Sequence, residues 1–180
     1  MPELTLEIRR LWRQSRILTF TAGLMLIAFV ASLAGVLLDP RVITGAPAWL
    51  KPAKFAISTA IYSITLAWFY RYLTVWPRFL RFAAWAISLI FIIEVAIIDV
   101  QAYRGVISHF NHATPLDFSL FAVMGVGIGM LLILTAVIAV ALFRQKFENP
   151  AWGWALRLGL VLASVGLPCV RWIACHLLPR

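Results

Sequence analysis

The stretch Phe118–Phe143 has the sequence FSLFAVMGVGIGMLLILTAVIAVALF and contains no charged side chain. A helix rises about 1.5 Å per residue, so roughly twenty apolar residues cross the ~30 Å hydrocarbon layer of a bilayer. Within this stretch Gly125 and Gly129 form a G-x-x-x-G pair, a spacing that permits close approach of a second membrane helix. The stretch therefore predicts a transmembrane helix, and the glycine pair predicts a contact with another helix or a homo-oligomer.

Three more apolar runs of similar length precede this stretch: Ile17–Leu38, Phe55–Leu73 and Phe82–Tyr103. A further run, Trp154–Ala174, is interrupted by Arg157, Pro168 and Arg171, so whether it crosses the membrane stays open. The pattern predicts an all-α fold, a polytopic transmembrane helical bundle of four to five spans. Residues 1–180 would form a single membrane domain.

The composition supports a lipid environment. Of the 180 residues, 63% are hydrophobic and 13% are charged, which is far more apolar than a water-soluble domain of this length. The net charge of +9 does not indicate nucleic-acid binding, because the basic residues flank the apolar runs and form no stripe with interleaved aromatics. The bilayer is the predicted partner. Cys169 and Cys175 lie six positions apart and predict neither a disulfide framework nor a metal site.

The first run has a second interpretation, a cleaved signal peptide, because residues 31–34 (Ala-Ser-Leu-Ala) resemble a small-residue cleavage site. The run continues to Leu38, beyond the apolar core of about 7–15 residues that such a peptide has. We therefore interpret it as an uncleaved membrane helix.

Lysine and arginine predict the orientation, because cytoplasmic loops of membrane proteins are enriched in both. With a cytoplasmic N-terminus, five spans place ten of the 16 basic residues inside and six outside, whereas four spans place twelve inside and four outside. Both counts predict a protein of the bacterial inner membrane with a cytoplasmic N-terminus. The Tyr103–Asp117 loop would face outward.

Glu94 is the first candidate for a functional residue, since an ionisable group inside a bilayer is costly unless it faces protein or water. At 100° per residue, Gln101 lies within about 20° of Glu94, Arg104 about 80° away and Asp99 about 140° away. The spacing predicts an inward polar strip of Glu94, Gln101, Arg104 and His109 that leads to the outer surface. Such a strip would pass protons or hold a polar ligand.

Lys51 and Lys54 stand at the outer end of the second predicted span. One interpretation is that they anchor the helix at the interface, and another is that they form an anion site near a helix N-terminus, with Arg104 approaching from the same side. Either lysine would also serve as the counter-charge of Glu94 in an ion pair that only fixes helix register. The sequence leaves these alternatives open.

His109, His112 and Asp117 are weaker candidates for a metal site, since i and i+3 histidines share a helical face but this stretch is turning. Haem is disfavoured because the four predicted spans contain no histidine. The chain has no G-x-S-x-G, Walker A, H-E-x-x-H or Rossmann pattern. No cofactor is predicted by name.

Two motifs carry a resemblance to known proteins. The first is Trp49-Leu50-Lys51-Pro52-Ala53-Lys54-Phe55, and the second, R-G-x-x-S-H-F-N-x-x-T-P-x-D, runs from Arg104 to Asp117, with Glu94 and Gln101 before it. From Trp49 to Gly129 the chain resembles a group of uncharacterised bacterial multi-pass inner-membrane proteins. The resemblance implies that these positions form the group's characteristic site, and it brings no activity with it.

The chain departs from that group near Leu167, where its members continue with further apolar helices. The segment Leu167–Arg180 is rich in Cys, Trp and Arg for a membrane helix. One hypothesis is that the coding sequence is truncated or frameshifted after about Leu167.

These observations lead to one main functional expectation and two alternatives. We expect an integral membrane protein that binds or transports a small polar or anionic species at an outer-side pocket built from Glu94, Gln101, Arg104, His109 and the Lys51/Lys54 segment. The alternatives are a structural or assembly subunit of a membrane complex, and a membrane-embedded enzyme that uses His109 and Glu94.

Overall fold

The computed structural model describes residues 2–162, with side chains described from residue 5 onward. The described elements follow in the order α1 (Pro2–Gln14), α2 (Arg16–Leu38), β1 (Val42–Ile43), β2 (Ala46–Pro47), α3 (Leu50–Phe69), a 3-10 turn (Tyr70–Tyr72), α4 (Pro77–Arg104) and α5 (Pro115–Arg144). Residues 150–162 are helical as well. The rest of the fifth predicted run, both cysteines and the segment from Leu167 onward lie outside the described residues.

Three described helices are long and apolar enough to cross a membrane: α2, α4 and α5. They correspond to three of the four firmly predicted spans. The other predicted span corresponds to α3, which has the required length of 20 residues but is less apolar. Its first turns carry Lys51, Pro52 and Lys54, and hydroxyl side chains such as Thr59 and Ser63 follow.

Local signals set the helix ends. The hydroxyl of Ser15 accepts a hydrogen bond from the Leu18 amide at the start of α2, and the hydroxyl of Thr114 accepts one from the Asp117 amide at the start of α5. Helix α4 has Pro77 in its first turn and ends at Gly105, whose φ of +74° suits a glycine.

Two elements were not predicted. Helix α1 has exposed apolar side chains at Leu6, Ile8 and Trp12 among basic residues, a pattern typical of a helix that lies in the membrane interface. The β1–β2 hairpin pairs Val42 with Pro47 and Ile43 with Ala46. Thr44 and Gly45 have φ of +51° and +80° at its turn, as a two-residue type I′ loop requires.

The helices form a bundle in which α2 and α3 make the most extensive contact and α4 packs against α2, α3 and α5. The main apolar core contains Leu66, Ile87, Ile138 and Leu160, and smaller clusters surround Met25 and Ile98. Large apolar side chains such as Ile133 are exposed on the outside. This exposure suits a surface that contacts lipid rather than water.

The two ends of the bundle differ in charge. We call the end with the β1–β2 hairpin, the start of α3 and the α4–α5 loop the hairpin end, and the opposite end the basic end. Among the described residues, the hairpin end carries four basic ones: Arg41, Lys51, Lys54 and Arg104. The basic end carries ten of those described: Arg9, Arg10, Arg13, Arg16, Arg71, Arg78, Arg81, Arg144, Lys146 and Arg157.

Candidate functional site

A cavity of about 220 Å³ lies at the hairpin end, between the β1–β2 hairpin, the start of α3 and the end of α4. Thr44, Lys51, Lys54 and Ser108 contribute polar side chains to its wall. Most of the remaining lining is apolar, from residues Ile43, Ala46, Pro47, Ala48, Leu50, Pro52, Phe55, Ile98, Ala102, Val106 and Ile107. We call it the hairpin-end cavity. A wall with few polar groups among many apolar ones is typical of small-molecule sites.

The lysine of this cavity that is best positioned to act on a ligand is Lys51. Its ammonium nitrogen lies 3.0 Å from Nδ1 of His109. The hydroxyl of Ser108 lies 3.1 Å from this histidine nitrogen as well. An ammonium group has no lone pair, so a charged Lys51 can only donate to this nitrogen of His109. The ring of Phe55 packs against the His109 ring, with 5.7 Å between their centroids. Lys51 is thereby held in place while it still lines the cavity.

Glu94 lies deeper in the bundle and is only 4% exposed. Its Oε1 has no hydrogen-bond partner among the described residues. Lys51 is a cation that interacts with Glu94 electrostatically. The two do not form an ion pair, because within the described chain no lysine or arginine nitrogen lies within 4.0 Å of a Glu94 oxygen. A buried carboxylate with an unpaired oxygen is unusual, because a polar group without a partner is costly away from water.

Gln101, Arg104, Thr114 and Asp117 form a separate group, the Asp117 cluster. Oδ1 of Asp117 accepts hydrogen bonds from Gln101 Nε2 at 2.9 Å and from Arg104 Nη1 at 2.6 Å. Arg104 Nη1 also lies 2.6 Å from Gln101 Oε1, and the Thr114 hydroxyl donates to Asp117 Oδ2 at 2.7 Å. The cluster joins the end of α4 to the start of α5. Both carboxylate oxygens of Asp117 and the side-chain amide of Gln101 have hydrogen-bond partners within the cluster, as a structural network requires.

The structure thus divides the predicted polar strip. Glu94 and Gln101 are both buried on α4, as their shared face predicts. Gln101 and Arg104 belong to the Asp117 cluster, whereas His109 contacts Lys51. Lys54 is exposed at the cavity wall. Among the described residues no direct hydrogen bond links Glu94 to the Asp117 cluster, so a continuous strip from Glu94 to the outer surface stays a prediction.

The metal candidates do not come together. Among the described residues no three His, Cys, Asp or Glu side chains are placed to hold one ion. The ring of His112 instead packs against Phe118 and Phe121, with centroids 5.6 Å apart in each case. The carboxylate of Asp117 is occupied by the Asp117 cluster. The low-ranked prediction of a His109, His112 and Asp117 site has no support in this geometry.

One contact at this end was not predicted from the sequence. Asp39, just after α2, accepts bonds from the Arg41 guanidinium at 2.6 Å and from the Trp49 indole nitrogen at 2.8 Å. Arg41 also donates to the carbonyl of Tyr103 at 2.9 Å. Hydrogen bonds from Arg41 and then Trp49 lower the pKa of Asp39 well below its usual range. In the sequence, the close spacing of Asp39 and Arg41 with Trp49 nearby could have predicted this contact.

Glycines allow close contacts in the described part of the chain, but not at the G-x-x-x-G pair. A Cβ at Gly35 would lie 2.5 Å from Cγ of Trp49, and one at Gly127 would lie 3.3 Å from Ile90 Cγ2. A Cβ at Gly125 or Gly129 would meet no described atom within 4 Å. The G-x-x-x-G pair is therefore not a packing site between described helices of this chain. A homo-oligomer through Gly125 and Gly129 stays a prediction.

The described helices and their apolar surface fit the class of α-helical membrane proteins. Comparison of the chain with protein-family models, with curated proteins and with solved structures finds no match. The resemblance to bacterial multi-pass inner-membrane proteins therefore stays a prediction, and function has to be argued from the site.

Proposed function

We propose that this protein binds a small amphipathic anion, a carboxylate or phosphate group attached to an apolar body, in the hairpin-end cavity. The observation that carries the proposal is Lys51, a half-buried ammonium that lines a mostly apolar cavity. Within the described chain it has no carboxylate ion pair.

The chemistry of the cavity matches such a ligand. Lys51 has three N–H donors, one of which is directed to His109, so the others can reach an anion. The cavity also adjoins the first turn of α3, where the helix dipole favours negative charge. The apolar wall, including Phe55 and Ile98, would cover the body of the ligand. An apolar wall beside Lys51 would strengthen the charge interaction.

Glu94 gives the site a second property. A carboxylate on α4 with an unpaired oxygen, under the electrostatic influence of Lys51, can take up or release a proton when an anion arrives at the lysine. We propose that Glu94 couples anion binding, or anion transport, to proton transfer.

The proposed topology places the cavity on the outer side of the bacterial inner membrane. Helix α3 would be a fourth span, because 20 residues cover about 30 Å and the helix runs from the hairpin end to the basic end. The N-terminus would be cytoplasmic, since within residues 5–162 the basic end carries ten lysines and arginines against four at the hairpin end.

Untargeted mass spectrometry of small molecules that copurify with the full chain tests the binding proposal. We expect an anionic compound to be enriched with the unchanged protein and reduced about tenfold with Lys51→Met. Lys146→Met is the matched control, because this lysine is exposed at the basic end. If Lys51→Met and Lys146→Met retain the same compounds in the same amounts, the site is not at Lys51.

Proton coupling needs its own test. If the copurifying anion is transported, its uptake into proteoliposomes should depend on a pH gradient, and Glu94→Gln should abolish that dependence while binding to Lys51 remains. Uptake that responds to pH equally in both proteins would remove Glu94 from the mechanism.

A structural role is the second candidate, and the Asp117 cluster favours it. Gln101 and Arg104 belong to the predicted site, yet their polar groups are engaged in joining α4 to α5. A protein that serves only as a subunit of a membrane complex would copurify with other chains and would retain its function after Lys51→Met.

A further inference from the structure

A second charged cavity lies at the basic end, far along the bundle from Lys51. It has a volume of about 450 Å³ and lies where the junction of α1 and α2 meets the start of α4. Arg13 of α1, Arg16 of α2 and Arg81 of α4 all line it. Among the described residues no acidic side chain contributes to its wall. We call it the basic-end cavity.

The three arginines lack counter-charges in the described part of the chain. The ion pairs found there join Glu7 to Arg10, Asp39 to Arg41 and Asp117 to Arg104. None of them includes Arg13, Arg16 or Arg81. Three guanidinium groups from three helices around one space repel one another, so an anion between them would remove that repulsion and supply hydrogen-bond acceptors.

Two helices start and one ends at this cavity. Helix α2 begins at Arg16 and α4 begins at Pro77, and both residues line the cavity. The first-turn amides of a helix lack partners within the helix, and the aligned peptide dipoles favour an anion at this end. The start of α4 therefore favours the same charge as the arginine cluster, whereas the start of α2 is offset by the adjoining end of α1 at Gln14.

The cavity wall is apolar on its membrane side. One helical turn beyond Arg81 it includes Ala84 and Trp85, and Trp85 is 65% exposed on the outer surface of the bundle. Helix α1 lies beside the cavity with its apolar side chains exposed, as an interfacial helix would. A ligand here would meet cations at its head and a lipid-facing surface at its tail.

We propose that the basic-end cavity binds the phosphate group of an anionic phospholipid, whose acyl chain follows Ala84 and Trp85. Basic pockets between membrane helices recognise lipid head groups by this combination of charge and position. A volume of about 450 Å³ is within the range of small-molecule sites. The continuity of the arginines with a lipid-facing tryptophan favours a lipid over a free phosphate ion.

Native mass spectrometry of the full chain in detergent, titrated with short-chain phosphatidylglycerol, tests this site. We expect one tightly retained lipid per chain, and we expect the double variant Arg16→Gln/Arg81→Gln to bind it about tenfold more weakly. The matched control is Arg9→Gln/Arg78→Gln, which removes the same charge from the basic end without touching the cavity wall. The control should change the affinity less than about twofold.

Two further arms distinguish the lipid from other ligands. Arg16→Lys/Arg81→Lys keeps the charge and should retain most of the affinity, which separates loss of binding from loss of folding. Phosphatidylcholine of the same chain length should bind much more weakly than phosphatidylglycerol. Equal weakening in the double variant and its control, equal binding of the two lipids, or inorganic phosphate that competes as strongly as the lipid would each overturn the proposal.

Discussion

The hairpin end and the middle of the bundle hold their carboxylates in opposite ways. At the hairpin end, Asp117 and Asp39 each bond to an arginine and to a second donor from another part of the chain. In the middle of α4, Glu94 and Asp99 each have a buried oxygen without a partner among the described residues. The paired carboxylates connect helices and stabilise the architecture. An unpaired carboxylate lowers stability, which is expected where a ligand or a proton completes the site.

The largest effect should come from Asp117→Ala. The substitution leaves Gln101 and Arg104 without their shared acceptor and removes an acidic residue from the first turn of α5. Gln101 is buried and would lose its acceptor, while the partly exposed Arg104 would lose its counter-charge, so we expect the thermal unfolding midpoint in detergent to fall by about 10 °C. Ser119→Ala is the control, since its exposed hydroxyl bonds only to the Pro115 carbonyl. A midpoint unchanged by Asp117→Ala would remove the structural role of this cluster.

Gly35→Ala should have the next largest effect, because it disturbs the indole that bonds Asp39. The new Cβ would lie 2.5 Å from Cγ of Trp49, at the root of a rigid ring that cannot move independently. We expect a fall in the unfolding midpoint of about 3–6 °C, despite the better helix propensity of alanine. Gly125→Ala is the matched control, since its Cβ meets nothing within 4 Å and should leave the midpoint unchanged or slightly higher. Equal responses of the two variants would contradict the close Trp49 contact.

Comparison of the predicted and observed helix bounds shows which parts of the fold the sequence could predict. The run Ile17–Leu38 matched α2 within one residue, because hydropathy and Asp39-Pro40 both indicate its end. The start of α3 was placed five residues too late, at Phe55 instead of Leu50. Lys51-Pro52 was interpreted as interface, yet proline is compatible with the first turn of a helix. Helix α1 escaped prediction because a short amphipathic helix does not resemble a membrane span.

The site was predicted only as far as one helix allows. Helical periodicity indicated that Glu94 and Gln101 share a face, and both are buried. Periodicity along α4 carries no information about the neighbouring helix, so the hydrogen bond between Gln101 and Asp117 could not be predicted. The Lys51–His109 contact joins residues 58 positions apart. Such contacts depend on how the helices pack, and one sequence does not encode that in its local pattern.

Glu94→Leu tests the unpaired carboxylate and should have the opposite sign. Replacing an uncompensated buried acid by an apolar side chain removes its desolvation cost, so we expect the unfolding midpoint to rise by about 2–3 °C. Gln101→Leu is the matched control two turns along the same face, and it should lower the midpoint because it breaks the bond to Asp117. A fall with Glu94→Leu as large as that with Gln101→Leu would mean that Glu94 is a structural residue like Asp117.

The smallest effect should be the response of the Asp39 contact to acid. The bonds from Arg41 and Trp49 lower the pKa of Asp39 in the folded protein, so the folded state binds its proton less readily than the unfolded state. The stabilisation from this group is therefore complete above its ordinary pKa of about 3.9 and is lost gradually as the pH falls toward the lowered value. Because Asp39 is only partly buried and its partner Arg41 is exposed, the change should be slight and should weaken in high salt. Unfolding midpoints of the unchanged protein and Asp39→Asn should be measured from pH 6 to pH 3, and their difference should shrink below about pH 4. A difference that stays constant, or grows, over this interval would show that the Asp39 carboxylate is not stabilised by Arg41 and Trp49.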